Sequence, residues 1–198
     1  MSPPQAHLVD DDEAIRDALS WLLKSRGIPC ATYDSAENFL SKWSMNMTGC
    51  VVLDMRMSGM SGLDCFDQLS IQESTLPVIF LTGHGDVPLA VATLKKGAFD
   101  FFEKPLNDND LATRIEEAMA LDARQRAANA TVDSVKARIS TLTTRERQIM
   151  ELVLAGKFNK VIADELSISM RTVEVHRANL FDKMQVKTAV ELANLLKP

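Results

Sequence analysis

The 198-residue sequence has no run of about 18 apolar residues, so no segment reads as a membrane span. It has only three cysteines, Cys30, Cys50 and Cys65, an odd number without metal-ligand spacing. Buried free thiols in a reducing compartment fit such a set best. The first residues, Met1-Ser2-Pro3-Pro4, lack the basic start and apolar core of a signal peptide. These absences together set the expectation of a cytoplasmic protein. A disordered chain is excluded as well, because hydrophobic residues make up 46% and charged residues 25%. The length suits one ordinary domain plus a smaller one.

Net charge is −5 overall but unevenly divided. Residues 1–124 hold 10 Lys and Arg against 19 Asp and Glu, a net of −9, and residues 125–198 hold 12 against 8, a net of +4. The split suggests an acidic module that could bind a cation joined to a basic one that could bind a polyanion, with chance partition of surface charge as the alternative until motifs are found.

Short apolar runs and amphipathic stretches alternate through the first 120 residues. His7-Leu8-Val9, Cys50-Val51-Val52-Leu53 and Val78-Ile79-Phe80-Leu81 are apolar on both faces, as in buried parallel strands. Five strands are expected near 5–9, 29–33, 50–54, 78–82 and 99–102, each followed by a helix, which gives an open α/β sheet covered on both faces. Beyond residue 140 the periodicity is helical only. Thr143 to Glu146 reads as a capping box opening a helix that Gly156 closes. Further helices are expected at 159–166, at 171–184 and from Thr188. Between the modules, 125–140 is polar, alanine-rich and free of Gly and Pro. Leu121, Gln125, Ala128, Val132, Val135, Ile139 and Leu142 keep a heptad spacing there, too short for a firm coiled coil, and a helical linker is expected.

Ligands in an open parallel sheet collect at the carboxyl ends of its strands. Asp10, Asp11 and Asp12 stand there after the first strand, Asp54 at the third, Thr82 at the fourth and Lys104 after the fifth. Clustered carboxylates need a countercharge, and a hard divalent ion such as Mg²⁺ supplies one. Aspartate can accept a phosphoryl group covalently, while metal, hydroxyl and ammonium suit the developing oxygen charge. A single Asp at a strand end is usually only a cap; the signal is the set at successive strand ends.

The stretches Val9-Asp10-Asp11, Leu53-Asp54-Met55-Arg56-Met57, Leu81-Thr82-Gly83 and Phe102-Glu103-Lys104-Pro105 occur in the order of a receiver domain, and residues 1–124 resemble the receiver domain of two-component response regulators. The resemblance implies a flavodoxin-like sheet in the order 2-1-3-4-5, with Asp54 as phospho-acceptor. It implies that Asp11, Asp54 and the backbone carbonyl of Arg56 ligate Mg²⁺ or Mn²⁺, with Asp10 acting through water. Thr82 and Lys104 would hold phosphoryl oxygens, and the Lys104–Pro105 bond is expected to be cis. Asp12 reads only as a helix cap. Ser58 departs from the family, which often has proline there, and loosens the loop before Gly59.

A rival for this half is an aspartyl-phosphate enzyme such as a phosphatase or phosphomutase. Those need a second carboxylate two residues after the nucleophile. Arg56 occupies that place, which suits a switch and not an enzyme. The resemblance further implies that Phe101 on strand 5 turns inward behind Thr82, although a strand Phe is normally core. Val91 and Lys95, on the helix between strands 4 and 5, would form with strand 5 the pairing face of a homodimer.

Residues 140–198 resemble the NarL/FixJ (LuxR-type) helix-turn-helix through Leu142-Thr143-Thr144-Arg145-Glu146, Asn159-Lys160-Val161-Ile162-Ala163 and Arg171 to Leu180. An all-α, four-helix domain over 141–198 is expected, with 125–140 as linker. Val173, Leu180 and Met184 would face Ile162 and Leu166, leaving Glu174, Arg177 and Ala178 outward for base edges. Lys160, Arg171, Thr172 and Lys183 would contact phosphates. Val175 joins the DNA-facing set, and His176 is read as packed or phosphate-contacting. Together these readings predict a regulator that a sensor histidine kinase phosphorylates on Asp54, that dimerises on double-stranded DNA and engages RNA polymerase. A regulator controlled by a protein partner without phosphorylation is the alternative.

Overall fold

The computed structural model describes residues 3–83 and 87–197, apart from the side chains of Val87, Pro88 and Ala90. Met1 and Ser2, half of the N-terminal stretch read above, lie outside them. The chain divides into two compact units, Met1–Arg126 and Ala127–Pro198.

The first unit alternates strand and helix: β1 (Gln5–Val9), α1 (Glu13–Ser25), β2 (Cys30–Tyr33), α2 (Ala36–Lys42), β3 (Gly49–Asp54), α3 (Gly62–Ile71), β4 (Val78–Thr82), α4 (Val87–Lys95), β5 (Asp100–Glu103) and the start of α5 (Asp108–Ser140). The strands form one parallel sheet in the order β2-β1-β3-β4-β5, as expected. Every residue of β3 is buried, and strand periodicity sends alternate residues to opposite faces. Val51 and Leu53 join Phe39, Phe66 and Leu69 from α2 and α3. Cys50 and Val52 join Leu19, Leu23, Leu111 and Ile115 from α1 and α5. A two-sided core explains why the central strands read as continuous apolar runs. The cysteines are free, with Cys50 and Cys65 buried.

Buried Asp122 of α5 accepts from Gly49 N–H at 2.8 Å and is held by Arg126 at 2.8 Å. Arg126 also donates to the carbonyls of Met45 and Met47, so α5 is tied to the loop before β3. The segment 125–140 lies wholly within α5. Along its heptad positions Val132 is 50% exposed, while Leu142 is buried in the helical core of the second unit.

That unit carries α6 (Thr144–Leu154), α7 (Asn159–Leu166), α8 (Met170–Met184) and α9 (Ala189–Leu195). Thr143 and Glu146 form the expected capping box. Its core joins Leu142, Ile149, Val153, Ile162, Val173, Leu180, Met184 and Leu192. Among the described residues no helix is long and apolar enough to cross a membrane.

Candidate functional site

Parallel strands bring their carboxyl ends to one edge, and the predicted pocket residues meet there. Asp54 ends β3, Thr82 ends β4, and Asp10 and Lys104 directly follow β1 and β5. Asp10, Asp11 and Asp54 each offer a carboxylate oxygen within 4.8 Å of the others. Lys104 Nζ donates to Asp54 Oδ1 at 2.8 Å and to Asp10 Oδ2 at 2.9 Å. Asp10 and Asp54 are buried, whereas Asp11 is exposed. The Lys104–Pro105 bond is cis, as expected.

Burial pushes the Asp54 carboxyl above its usual range; Lys104 opposes this, and the charges of Asp10 and Asp11 add to it. One ammonium is thus too little for three carboxylates. An all-oxygen set short of positive charge fits a hard divalent cation such as Mg²⁺ or Mn²⁺. Asp11 is held below the usual range, chiefly because its Oδ2 accepts the Ser58 N–H at 2.7 Å. Asp12 caps α1, accepting from Ala14 N–H. The buried Thr82 hydroxyl donates to the Phe102 carbonyl at 3.4 Å. Arg56 lies on the exposed loop after β3.

Phe101 of β5 is half-buried against the core between the sheet and α2–α3. Val91 and Lys95 are exposed on α4.

In the second unit, Ser167 to Ser169 turn the chain from α7 into α8, with Ser167 left-handed (φ 51°) and Ser169 capping α8. Val173, Leu180 and Met184 pack with Ile162 and Leu166, as read from their spacing. Glu174, Val175 and Ala178 are exposed on α8, as are Lys160 of α7 and Arg171. Thr172 is half-buried, its N–H donating to Ser169 Oγ at 3.1 Å. Arg177 packs back: its Nη1 donates to Asn159 Oδ1 at 2.8 Å, and its guanidinium lies 5.4 Å from the Phe181 ring.

Lys183 requires a correction. Instead of standing at the rim for a phosphate, it donates to Glu146 Oε2 at 2.7 Å and to the Thr141 carbonyl at 3.3 Å. Glu146 is 3% exposed. Burial works against its ionised form, but Lys183 and the N–H and hydroxyl of Thr143 outweigh it and hold the carboxyl low. Lys183 is therefore the counter-ion of a buried carboxylate. The capping box identified Glu146, but nothing in the sequence pairs it with a lysine 37 residues away.

A carboxylate pocket at the edge of a doubly wound sheet, followed by a helix-turn-helix with an exposed recognition face, defines a signal-receiving module joined to a DNA-binding one. Residues 6–116 match the response regulator receiver domain, and residues 140–196 match the luxR family of bacterial regulatory proteins. The chain is 43% identical to the transcriptional regulatory protein FixJ of Bradyrhizobium diazoefficiens over 189 residues, 96% of this chain and 92% of that one. It is 46% identical to the C4-dicarboxylate transport transcriptional regulatory protein DctR of Rhodobacter capsulatus, over 96% of this chain and 97% of the relative. Among solved structures, the response regulator StyR matches with a TM-score of 0.94 at 40% identity, covering 98% of each chain. Full-length FixJ from B. japonicum matches with a TM-score of 0.60 at 42% identity, over 98% of this chain and 96% of that one. The chain belongs to the two-component response regulators that carry a receiver domain and a LuxR-type DNA-binding domain, and it is a transcriptional regulator.

Proposed function

We propose that a sensor histidine kinase phosphorylates this regulator on Asp54, and that the phosphorylated chain dimerises and binds a two-fold DNA site to control transcription. Residues 1–124 act as receiver, 125–140 as linker and 141–198 as the DNA-binding domain, in a cytoplasmic protein that engages RNA polymerase. The observation that carries this reading is the convergence of Asp10, Asp11, Asp54 and Lys104 at one strand edge.

An Asp54 carboxylate oxygen attacks the phosphorus of a phosphohistidine. The N–P bond breaks, its electron pair stays on the imidazole, which takes up a proton, and Asp54 carries an acyl phosphate. Asp11, Asp54 and the Arg56 carbonyl would hold Mg²⁺ or Mn²⁺, with Asp10 acting through water, and the ion would supply Lewis-acid neutralisation of phosphoryl oxygens. Lys104 passes from the carboxylates to a phosphoryl oxygen. The Thr82 hydroxyl leaves the Phe102 carbonyl for another, and Phe101 turns in behind it. That rearrangement reshapes the face bearing Val91 and Lys95, where a second copy pairs. On DNA, Glu174, Val175 and Ala178 face base edges, Arg177 leaves Asn159 to join them, and Lys160, Arg171 and Thr172 face phosphates.

Incubation with a small phosphodonor and Mg²⁺ tests the acceptor. Acid-labile, hydroxylamine-sensitive label should appear on the chain and vanish in Asp54→Asn, whose amide is a poor nucleophile. Full labelling of that variant would place the acceptor elsewhere.

A further inference from the structure

We propose that Ser58 is a positioning residue for the cation site, its main-chain N–H holding the Asp11 carboxylate beside Asp10 and Asp54 before any ion arrives. The proposal rests on the reading of Asp11 as a metal ligand.

Asp11 is the exposed member of the triad, and its neighbours share the Lys104 ammonium. Like charge from Asp10 and Asp54 pushes its side chain toward solvent. Even so, its ligand oxygen stays within 4.8 Å of theirs. The restraint is the Ser58 N–H, 2.7 Å from Asp11 Oδ2, short as charge-assisted bonds are. A carboxylate offers about four lone-pair positions on two oxygens, so this donor leaves room for an ion. Outer partners of this kind fix a ligand's orientation.

A donor can position a ligand only if it is itself fixed. The loop after β3 closes on itself through Gly62 N–H to the Met55 carbonyl at 3.1 Å. Ser61 caps α3 by accepting from Asp64 N–H at 3.2 Å. From the other side, Glu37 of α2 accepts Met60 N–H at 2.8 Å. Gly59 permits this approach: its φ is +83°, and a Cβ there would come 2.8 Å from the Glu37 carboxylate. Ser58 N–H is thereby aimed from a loop anchored at three points. Proline, which the resembled family often has at this place, carries no N–H and could not donate.

The test is a calorimetric Mg²⁺ titration of the full chain and two variants. Ser58→Pro, which loses the N–H, should bind about tenfold more weakly, the worth of one hydrogen bond to a charged group. Ser58→Ala keeps the N–H and should lose about threefold or less. In the wild-type chain the Ser58 amide should exchange slowly in EDTA and remain slow at saturating Mg²⁺. That measurement decides the matter even if Ser58→Pro fails to fold. Equal or tighter Mg²⁺ binding by Ser58→Pro, or a Ser58 amide released by Mg²⁺, would overturn the proposal. Wild-type binding that Asp11→Ala leaves intact would instead overturn the cation reading beneath it, whereas Asp11-dependent binding with a flat Ser58 series sinks only the role of Ser58.

Discussion

Lys104 Nζ lies 2.8 Å from Asp54 Oδ1 across 50 residues of sequence, yet the Asp54 carboxyl remains above its usual range because burial and two further carboxylates outweigh the pairing. Gathering these carboxylates therefore costs electrostatic energy, which a bound cation offsets.

That cost predicts a stabilising substitution. A carboxyl raised in the folded state binds its proton more readily there than in the unfolded chain, so stability falls as pH rises from 3.8 through the folded pKa. At neutral pH in EDTA, Asp54→Asn should therefore unfold at a higher temperature than wild type. Mg²⁺ at ten times its dissociation constant should stabilise wild type by about 1.4 kcal/mol and the variant by much less. A variant less stable than wild type in EDTA would contradict the charge argument.

The Glu146–Lys183 pair carries a prediction for the second unit. Lys183→Ala strands a buried carboxylate and should cost about 2–3 kcal/mol, less than a fully buried pair because Lys183 is partly exposed. The Glu146 carboxyl is depressed on folding, so its contribution is present above pH 4.5 and is lost as pH falls through the folded value. Urea unfolding between pH 3 and 7 should show an acid loss that Lys183→Ala largely removes. In DNA titrations against salt, Lys160→Ala should lower the slope by about one, and Lys183→Ala should leave it unchanged. Equal changes in slope would return Lys183 to the phosphate contacts.

Dimerisation supplies the third prediction. Two tethered copies reach half-sites roughly 10 base pairs apart, and the second contact becomes effectively intramolecular. Phosphorylation should convert monomer to dimer and tighten binding to a full site far more than to a half-site. Lys95→Glu, an exposed charge reversal on α4, should weaken both effects while Asp54 still takes label. Sedimentation beside half-site and full-site titrations checks this. Equal tightening on both DNAs with the protein monomeric would assign activation to unmasking of the basic helices by the acidic receiver, net −9 against +4.

The local code and the periodicities were legible in the chain alone. Alternation of apolar runs marked β1, β3 and β4 because a buried parallel strand needs both faces apolar. The 3.6-residue spacing of Val173, Leu180 and Met184 marked the inner face of α8, and Thr143 with Glu146 marked a helix start. The convergence of the carboxylates and Lys104 was legible too, since parallel strand ends must share an edge and the ends of β1, β3 and β5 carried Asp10 with Asp11, Asp54 and Lys104.

Tertiary structure decided the partners. That Lys183 serves Glu146, that Arg177 bonds Asn159, and that Ser58 holds Asp11 are contacts between segments 18 to 47 residues apart. No helical or strand period spans such separations, and a long charged side chain reaches several surfaces with equal ease. Which one it takes depends on where burial leaves a carboxylate or carbonyl short of a donor, and that is settled only when the elements pack.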